Sequence, residues 1–272
     1  MSGQSIGLAA PAAGRRRPKL PLAAGSFVPR LLCGLVILGL WEGVVRGWAP
    51  AYVAKPSTVA LAIPHVIVDP KFLAATGNTL LAVAEGLAIA LVLGTCLGLL
   101  MGRSVAVERF VRHYVNGFYA MPMIVVLPLF SLWFGYSSAA RLATVVFAAV
   151  FSIIMNVADG ARSVPREYLE VASSFRSSRL RMLYEIVLPA ATPYLLAGFR
   201  LAAGRALIGA VVAEFFLAIG GLGYFILFNS RTYHHNEAFV GVLLLAAFGV
   251  GFELVVVWAT RHFLPWYRRE EK

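Results

Sequence analysis

Charge is scarce in this sequence. Only 14% of its 272 residues are Asp, Glu, Lys or Arg, where a water-soluble chain of this length carries about a quarter. That shortage excludes an ordinary soluble domain, and 60% hydrophobic residues with a mean hydropathy of +0.78 agree. Lysine is scarcer still. None of the four lysines, Lys19, Lys55, Lys71 and Lys272, follows a glycine, so no Gly-x-x-x-x-Gly-Lys-Ser/Thr loop exists to cradle nucleotide phosphates. The chain is therefore not its own ATPase by that route. Cysteine is limited to Cys33 and Cys96. Each falls in an apolar run without Cys or His at metal-ligand spacing, and both read as buried, reduced packing residues. The five histidines, His65, His113, His234, His235 and His262, lie in loops or near the ends of apolar runs, which argues against a membrane-embedded catalytic centre. His234, His235 and Glu237 lack a third ligand at tetrahedral spacing and read as loop, so no metal site is expected.

What is abundant is apolar sequence in long runs. Crossing a bilayer takes about 20 apolar residues as a helix, and six runs qualify: Phe27 to Val45, Phe72 to Met101, Val111 to Phe134, Arg141 to Val157, Thr192 to Ile219 and Phe239 to Phe263. The fold class that follows is all-α, a polytopic membrane protein with about six transmembrane helices. The first run, placed at 27–47, reads as an uncleaved anchor, because the basic segment ends well before it and no small-x-small site follows. Pro122 and Pro128 are expected to bend or break the third. The segment 48–71 contains Pro50, Pro56, Pro64 and Pro70 and is predicted to be broken backbone with a short surface helix.

The net charge of +11 would suggest nucleic acid in a soluble protein. Here the basic residues sit in short clusters between apolar runs, and no nucleic-acid partner is inferred. With the N-terminus inside, 17 of the 24 basic residues fall on the inner side, and five (Arg46, Lys55, Lys71, Arg141 and Arg231) on the outer side. Arg200 and Arg205 lie within the fifth run. The asymmetry places the segments 1–26 and 264–272 in the cytoplasm, with 48–71 on the outer side.

The inner segment 160–190 is long and polar, and a loop of that length needs its own structure or its own task. Pro165 to Phe175 has an early Pro, early acidic residues and good helix formers, which predicts a short helix. A second helix is predicted over Arg179 to Val187, where Leu180, Leu183, Ile186 and Val187 recur at helical spacing, with Leu188-Pro189 closing it. Two short helices joined by a polar turn suit a groove in a soluble partner.

At Glu170, Ala172, Ser178, Leu188 and Pro189 the loop resembles the Glu-Ala-Ala, three residues, Gly, hydrophobic, Leu-Pro pattern of ABC importer permeases in the nitrate, sulfonate and taurine branch. Further matches are Leu127-Pro128-Leu129, Trp133-Phe134-Gly135, Gly198-Phe199-Arg200, Gly204 to Gly209, Val211-Val212-Ala213-Glu214 and Gly221-Leu222-Gly223-Tyr224. Val171 departs from the Glu-Ala-Ala triplet, and Arg176 replaces the turn glycine, which puts the loop geometry in question. The resemblance implies a type I ABC importer transmembrane domain over 72–263, working as a homodimer in a bacterial inner membrane, with 48–71 periplasmic. Its implied partners are two ABC ATPase subunits, which bind ATP and Mg, and a periplasmic solute-binding protein. It further implies that Glu170, Ala172, Arg176, Ser178, Leu188 and Pro189 form the contact with the ATPase. The solutes of this branch and its relatives are nitrate, sulfonates, taurine, bicarbonate, pyrimidine vitamin precursors and aromatic carboxylates, so a small anion is the first expectation.

Charged groups inside spans cost a few kcal/mol unless hydrated or partnered, which singles out Glu85, Arg200, Arg205, Glu214 and Glu253. Counted from Thr192, Arg205 lies about 20 Å deep and Glu214 about 33 Å. Nine residues apart, they point to opposite helix faces and must find partners elsewhere. Glu85, Arg205 and Glu214 are the candidates for a translocation pathway or gate. Two readings of Arg205 remain open: a cation facing an aqueous path for an anion, or a structural partner of Glu85 or of a second copy. The small residues Ala197, Gly198, Ala202, Gly204, Ala206, Gly209 and Ala210 permit close helix approach; they read as packing first, and a dimer interface or gate is expected there. An autonomous carrier or channel would leave the inner loop unexplained.

Overall fold

The computed structural model describes residues 27–50 and 53–263, so the expected terminal segments 1–26 and 264–272 lie outside the described residues. Every regular element described is helical: α1 (Phe27–Trp48), α2 (Pro56–Val66), α3 (Pro70–Arg103), α4 (Val105–Ala120), α5 (Met123–Phe134), α6 (Ser138–Arg162), α7 (Arg166–Ser174), α8 (Arg179–Met182), a π-turn (Leu183–Val187), α9 (Leu188–Leu217), α10 (Leu222–Arg231) and α11 (His235–Phe263). Five helical stretches are long and apolar enough to cross a membrane, and α4 with α5 forms a sixth only as one span bent by 101°. The bend falls at Met121-Pro122, where proline cannot continue the helix, whereas Pro128 sits inside α5 without breaking it.

Helix direction shows what the bent pair does. α6 is the central helix, packed on both α3 and α9. Along the α3 seam, Gly86 lies against Val145, Gly94 against Ile153 and Gly98 against Val157, so the two helices run in the same direction. The chain between them must therefore return across the layer, and the α4–α5 pair is that crossing. Against α9 the order reverses, with Gly198 beside Asn156 and Gly209 beside Ala148. The core is thus a three-helix slab with Ala149, Ile153, Val157, Ala202, Ala206 and Ala210 at its centre. Small residues let the helix axes approach to where van der Waals contact drives association.

Two expectations are corrected by this packing. Gly198, Ala202, Ala206, Gly209 and Ala210 are buried inside the protomer, with Gly198 and Gly209 set directly against α6, so they do not offer an interface to a second copy; Ala197 and Gly204 of the set are exposed. Cys33 and Cys96 are free but exposed rather than buried, because an apolar helix face in a membrane protein turns as readily to lipid as to a core.

The bundle has two distinct ends. Arg103, Arg162, Arg179 and Arg261 sit at the basic end with α7 and α8. At the opposite end the short helices α2 and α10 close over the slab around Val59, Phe72, Leu222 and Val240. There Thr58 Oγ1 donates to Asn236 Oδ1 at 2.9 Å, and Glu42 accepts from the Ser57 amide at 3.0 Å, tying the end of α1 to α2.

Candidate functional site

At the basic end, α7 and α8 form the helix pair expected over 160–190. Glu170 and Ala172 lie on α7, Ser178 caps α8 by accepting from the Arg181 amide at 3.2 Å, and Arg176 occupies the turn between them. Arg176 has φ 53°, the left-handed conformation a glycine would take for less. Two bonds hold it: the Arg176 amide donates to Ser173 O at 2.9 Å and the Ser177 amide to Ala172 O at 3.1 Å. This is a Schellman close, so the arginine preserves the glycine-type turn at the expense of backbone strain.

The second helix ends differently from the expectation. Leu188-Pro189 does not close it; α8, the π-turn and α9 form one continuous stretch, Arg179–Leu217, of 39 residues. Proline lacks the amide that an α-helix would bond to the Glu185 carbonyl and crowds that carbonyl. The π-turn resolves the conflict by widening the preceding turn, with the Leu188 amide reaching back to Leu183 O. α8 is thereby continuous with the span that carries Arg205 and Glu214.

The helix pair carries an exposed apolar face. Tyr168, Val171, Phe175, Leu180 and Tyr184 are all more than half exposed, Phe175 at 81%, interspersed with Arg166, Arg176 and Glu170. Glu170 is exposed and makes no side-chain ion pair among the described residues; its backbone carbonyl accepts from Ser173 and Ser174. A cluster of large apolar side chains ringed by charge is the kind of surface that meets a protein or a membrane.

Glu85, Arg205 and Glu214 do not meet. Glu85 is exposed on α3 and pairs with no arginine among the described residues, so the Arg205–Glu85 pairing is not made. Arg205 is half-buried; its guanidinium stacks 3.9 Å from the centre of the Tyr119 ring and donates to Tyr119 O at 3.4 Å. It lines a cavity of about 130 Å³ with Phe118, Met123, Phe147 and Phe151, a cation held by an aromatic wall with no carboxylate paired to it among the described residues.

Glu214 is fully buried, and its carboxylate gathers three donors. Thr79 Oγ1 donates at 2.8 Å, the Gly223 amide at 2.8 Å and Arg141 Nη1 at 3.2 Å. Thr79 in turn accepts from the Leu222 amide at 2.8 Å, and Arg141 also donates to Gly220 O at 3.0 Å. The carboxylate therefore ties α3, α6 and α9 to the glycine loop that starts α10. The chain reverses onto it because Ala218 adopts φ 52°. A Cβ at Gly221 would fall 2.1 Å from a Glu214 oxygen, so only glycine lets the backbone approach the carboxylate. Local sequence offered no sign that Arg141 and Thr79 partner Glu214. Nor did it reveal that Arg200 pairs with Glu253 across α9 and α11; these are contacts between helices. Among the described residues no three His, Cys, Asp or Glu side chains converge as a metal group.

Over residues 90–269 the sequence matches the family described as binding-protein-dependent transport system inner membrane component. It is 30% identical to the formylaminopyrimidine transport permease of Halalkalibacterium halodurans over 87% of this chain and 94% of that protein. It is 28% identical to a putative aliphatic sulfonates transport permease of Bacillus subtilis, over 87% of this chain and 86% of that one. With the nitrate import permease of Leptolyngbya laminosa it shares 26% identity over 95% and 97% of the two chains. Two solved structures share the fold: a methionine ABC transporter in inward-facing conformations (TM-score 0.63, 17% identity, 71% of this chain and 95% of that chain) and a bacterial ABC transporter that imports alginate (TM-score 0.63, 13% identity, 87% and 94%).

Proposed function

The chain belongs to the binding-protein-dependent transport system inner membrane component family, and from that premise we propose how it performs its part as the multi-pass permease of an ABC importer. The basic end faces the cytoplasm, so the helix pair α7–α8 docks into a separate ATPase subunit, which binds ATP and Mg and hydrolyses the nucleotide. Two copies of the permease assemble with two ATPases, and a solute-binding protein delivers cargo at the opposite, periplasmic end. The solute is a small anion, drawn from the sulfonate, taurine, nitrate and carboxylate classes. Support for the anion comes from Arg205, a mid-span cation on an aromatic wall with no carboxylate paired to it among the described residues.

The observation that carries the reading is the exposed face of Tyr168, Val171, Phe175, Leu180 and Tyr184 on a segment continuous with α9. Closure of the ATPases would displace α7 and α8 as a lever, and the unbroken run through the π-turn would tilt α9 with it, switching access between the two sides. Purification of the tagged chain from its native membranes in mild detergent tests this. A nucleotide-binding subunit should co-purify with wild type and be reduced at least severalfold by Glu170→Ala or Phe175→Ala. Recovery of no ATPase from any form, under conditions that hold a control importer together, would refute it.

A further inference from the structure

A groove of about 870 Å³ opens between the basic end of α3 and the coupling segment, where its lining includes Leu180 and Tyr184 from the edge of the apolar face assigned to the ATPase. One wall is Leu99 and Leu100 of α3; the other is Leu183 and Val187 of the π-turn; Arg103 and Arg179 stand at the rim. The floor reaches Thr95, eight residues before Arg103 and so about 12 Å deeper along the helix. The groove thus begins where the apolar sequence of α3 ends in charge and runs inward at hydrocarbon depth.

The rim is uncompensated. Neither Arg103 nor Arg179 makes an ion pair among the described residues, and the nearest acidic residue on the coupling segment, Glu185, is already bound by Arg181 Nε at 2.9 Å. We propose that this groove holds an anionic phospholipid of the cytoplasmic leaflet, its phosphate at the two guanidinium groups and an acyl chain along the leucine walls. Two physical arguments select that occupant. A peptide segment at this depth would bring an amide and a carbonyl at every residue to walls whose hydroxyls are only those of Thr95, Ser104 and Tyr184, whereas an acyl chain carries no polar group to satisfy. A zwitterionic lipid would bring its own cation to a rim that already has two, while an anionic headgroup meets unneutralised positive charge. Because one wall is the π-turn, the lipid would touch the joint between coupling helix and span. The inference goes beyond the importer reading and does not depend on which solute is carried.

Native mass spectrometry of the full-length chain, with whatever subunits co-purify, tests this by titration with phosphatidylglycerol and phosphatidylcholine of matched acyl chains. Phosphatidylglycerol should be retained in preference. At about 1 kcal/mol for each basic residue at a membrane surface, Arg103→Gln or Arg179→Gln should weaken it roughly fivefold, and the pair roughly thirtyfold, leaving phosphatidylcholine unchanged. Both side chains are exposed, so the variants should fold. Cys96 lines the same groove and supplies an independent readout: in a Cys33→Ser background, a benzophenone on Cys96 should crosslink to phosphatidylglycerol. Equal retention of the two lipids, indifference of phosphatidylglycerol to the double substitution, or a Cys96 crosslink to a peptide instead of lipid would each overturn the proposal.

Discussion

Replacing Glu214 by Gln removes one charge and almost no volume, which makes it a sharp probe of the buried knot at the end of α9. In the native arrangement three donors, Thr79 Oγ1, the Gly223 amide and Arg141 Nη1, share two carboxylate oxygens. A carboxamide offers one oxygen and turns an NH₂ toward the remaining donors, so at least one donor loses its acceptor. An orphaned buried donor costs about 1–3 kcal/mol, and stripping one partner from a buried ion pair about 3–5 kcal/mol. Arg141 keeps its bond to Gly220 O and part of its side chain remains exposed, which brings the expected cost to about 2–4 kcal/mol.

That energy should be lost locally. Leu222 and Gly223 donate their amides to Thr79 and Glu214, so opening of the glycine loop frees both. Hydrogen exchange by mass spectrometry in detergent should show the 219–224 peptide exchanging on the order of a hundredfold faster in Glu214→Gln, as tenfold per 1.4 kcal/mol requires. A peptide around Ile153, in the slab centre, should stay protected. Replacing both charges, with Glu214→Leu and Arg141→Leu together, leaves no lone charge but takes the acceptor from the Gly223 amide, so the 219–224 peptide should exchange at least as fast as in Glu214→Gln. Unchanged exchange at 219–224 in a folded Glu214→Gln protein would refute the claim that this carboxylate holds the loop.

Arg176→Gly should relieve about 1 kcal/mol of left-handed strain and slow exchange at the Ser177 amide roughly fivefold; faster exchange would mean that the arginine side chain holds the turn. Gly98→Ala places a Cβ 2.8 Å from Val157 Cβ and 2.9 Å from Ile154 O and should cost about 1–3 kcal/mol, lowering the melting temperature by several degrees. Gly204→Ala, with nothing within 4 Å, should be neutral or gain about 0.5–1 kcal/mol, so equal effects of the two would contradict the assigned seams. If the proposed anion pathway runs past Arg205, Arg205→Gln in reconstituted vesicles should leave ATPase recovery unchanged while reducing solute uptake at least tenfold, and wild-type uptake by that variant would remove Arg205 from the proposal.

Much of this architecture is legible along the chain because the bilayer imposes a length on every apolar run. The six runs correspond to α1, α3, the bent pair, α6, α9 and α11, and Pro122 announces the bend where the structure has it. What is not legible belongs to the third dimension. A leucine facing lipid and a leucine facing α6 satisfy the same hydropathy, so Cys33 and Cys96 read as buried yet lie exposed, and the small-residue stripe of α9 reads as close packing without naming the helix it meets, which is α6. Pro189 reads as a stop because proline breaks an α-helix, but one π-turn absorbs the missing amide and the helix continues.

The motifs Val211-Val212-Ala213-Glu214 and Gly221-Leu222-Gly223-Tyr224 make the same point most fully. In sequence they are two separate runs, one with a carboxylate deep in a span and one with loop glycines. Ala218 at φ 52° reverses the chain between them, and the Gly223 amide then falls 2.8 Å from the Glu214 carboxylate. Neither motif is sufficient alone: the carboxylate without the loop would be a buried charge short of donors, and the loop without the carboxylate would leave the Gly223 amide unsatisfied. Strain at Ala218 is sustained because it completes both. A substitution that relaxes Ala218, such as Ala218→Gly, should therefore stabilise the knot, whereas Ala218→Val, β-branched at a left-handed position, should open the 219–224 peptide as Glu214→Gln does. Concordant exchange in those two variants would identify the reversal and the carboxylate as one device, and discordant exchange would separate them.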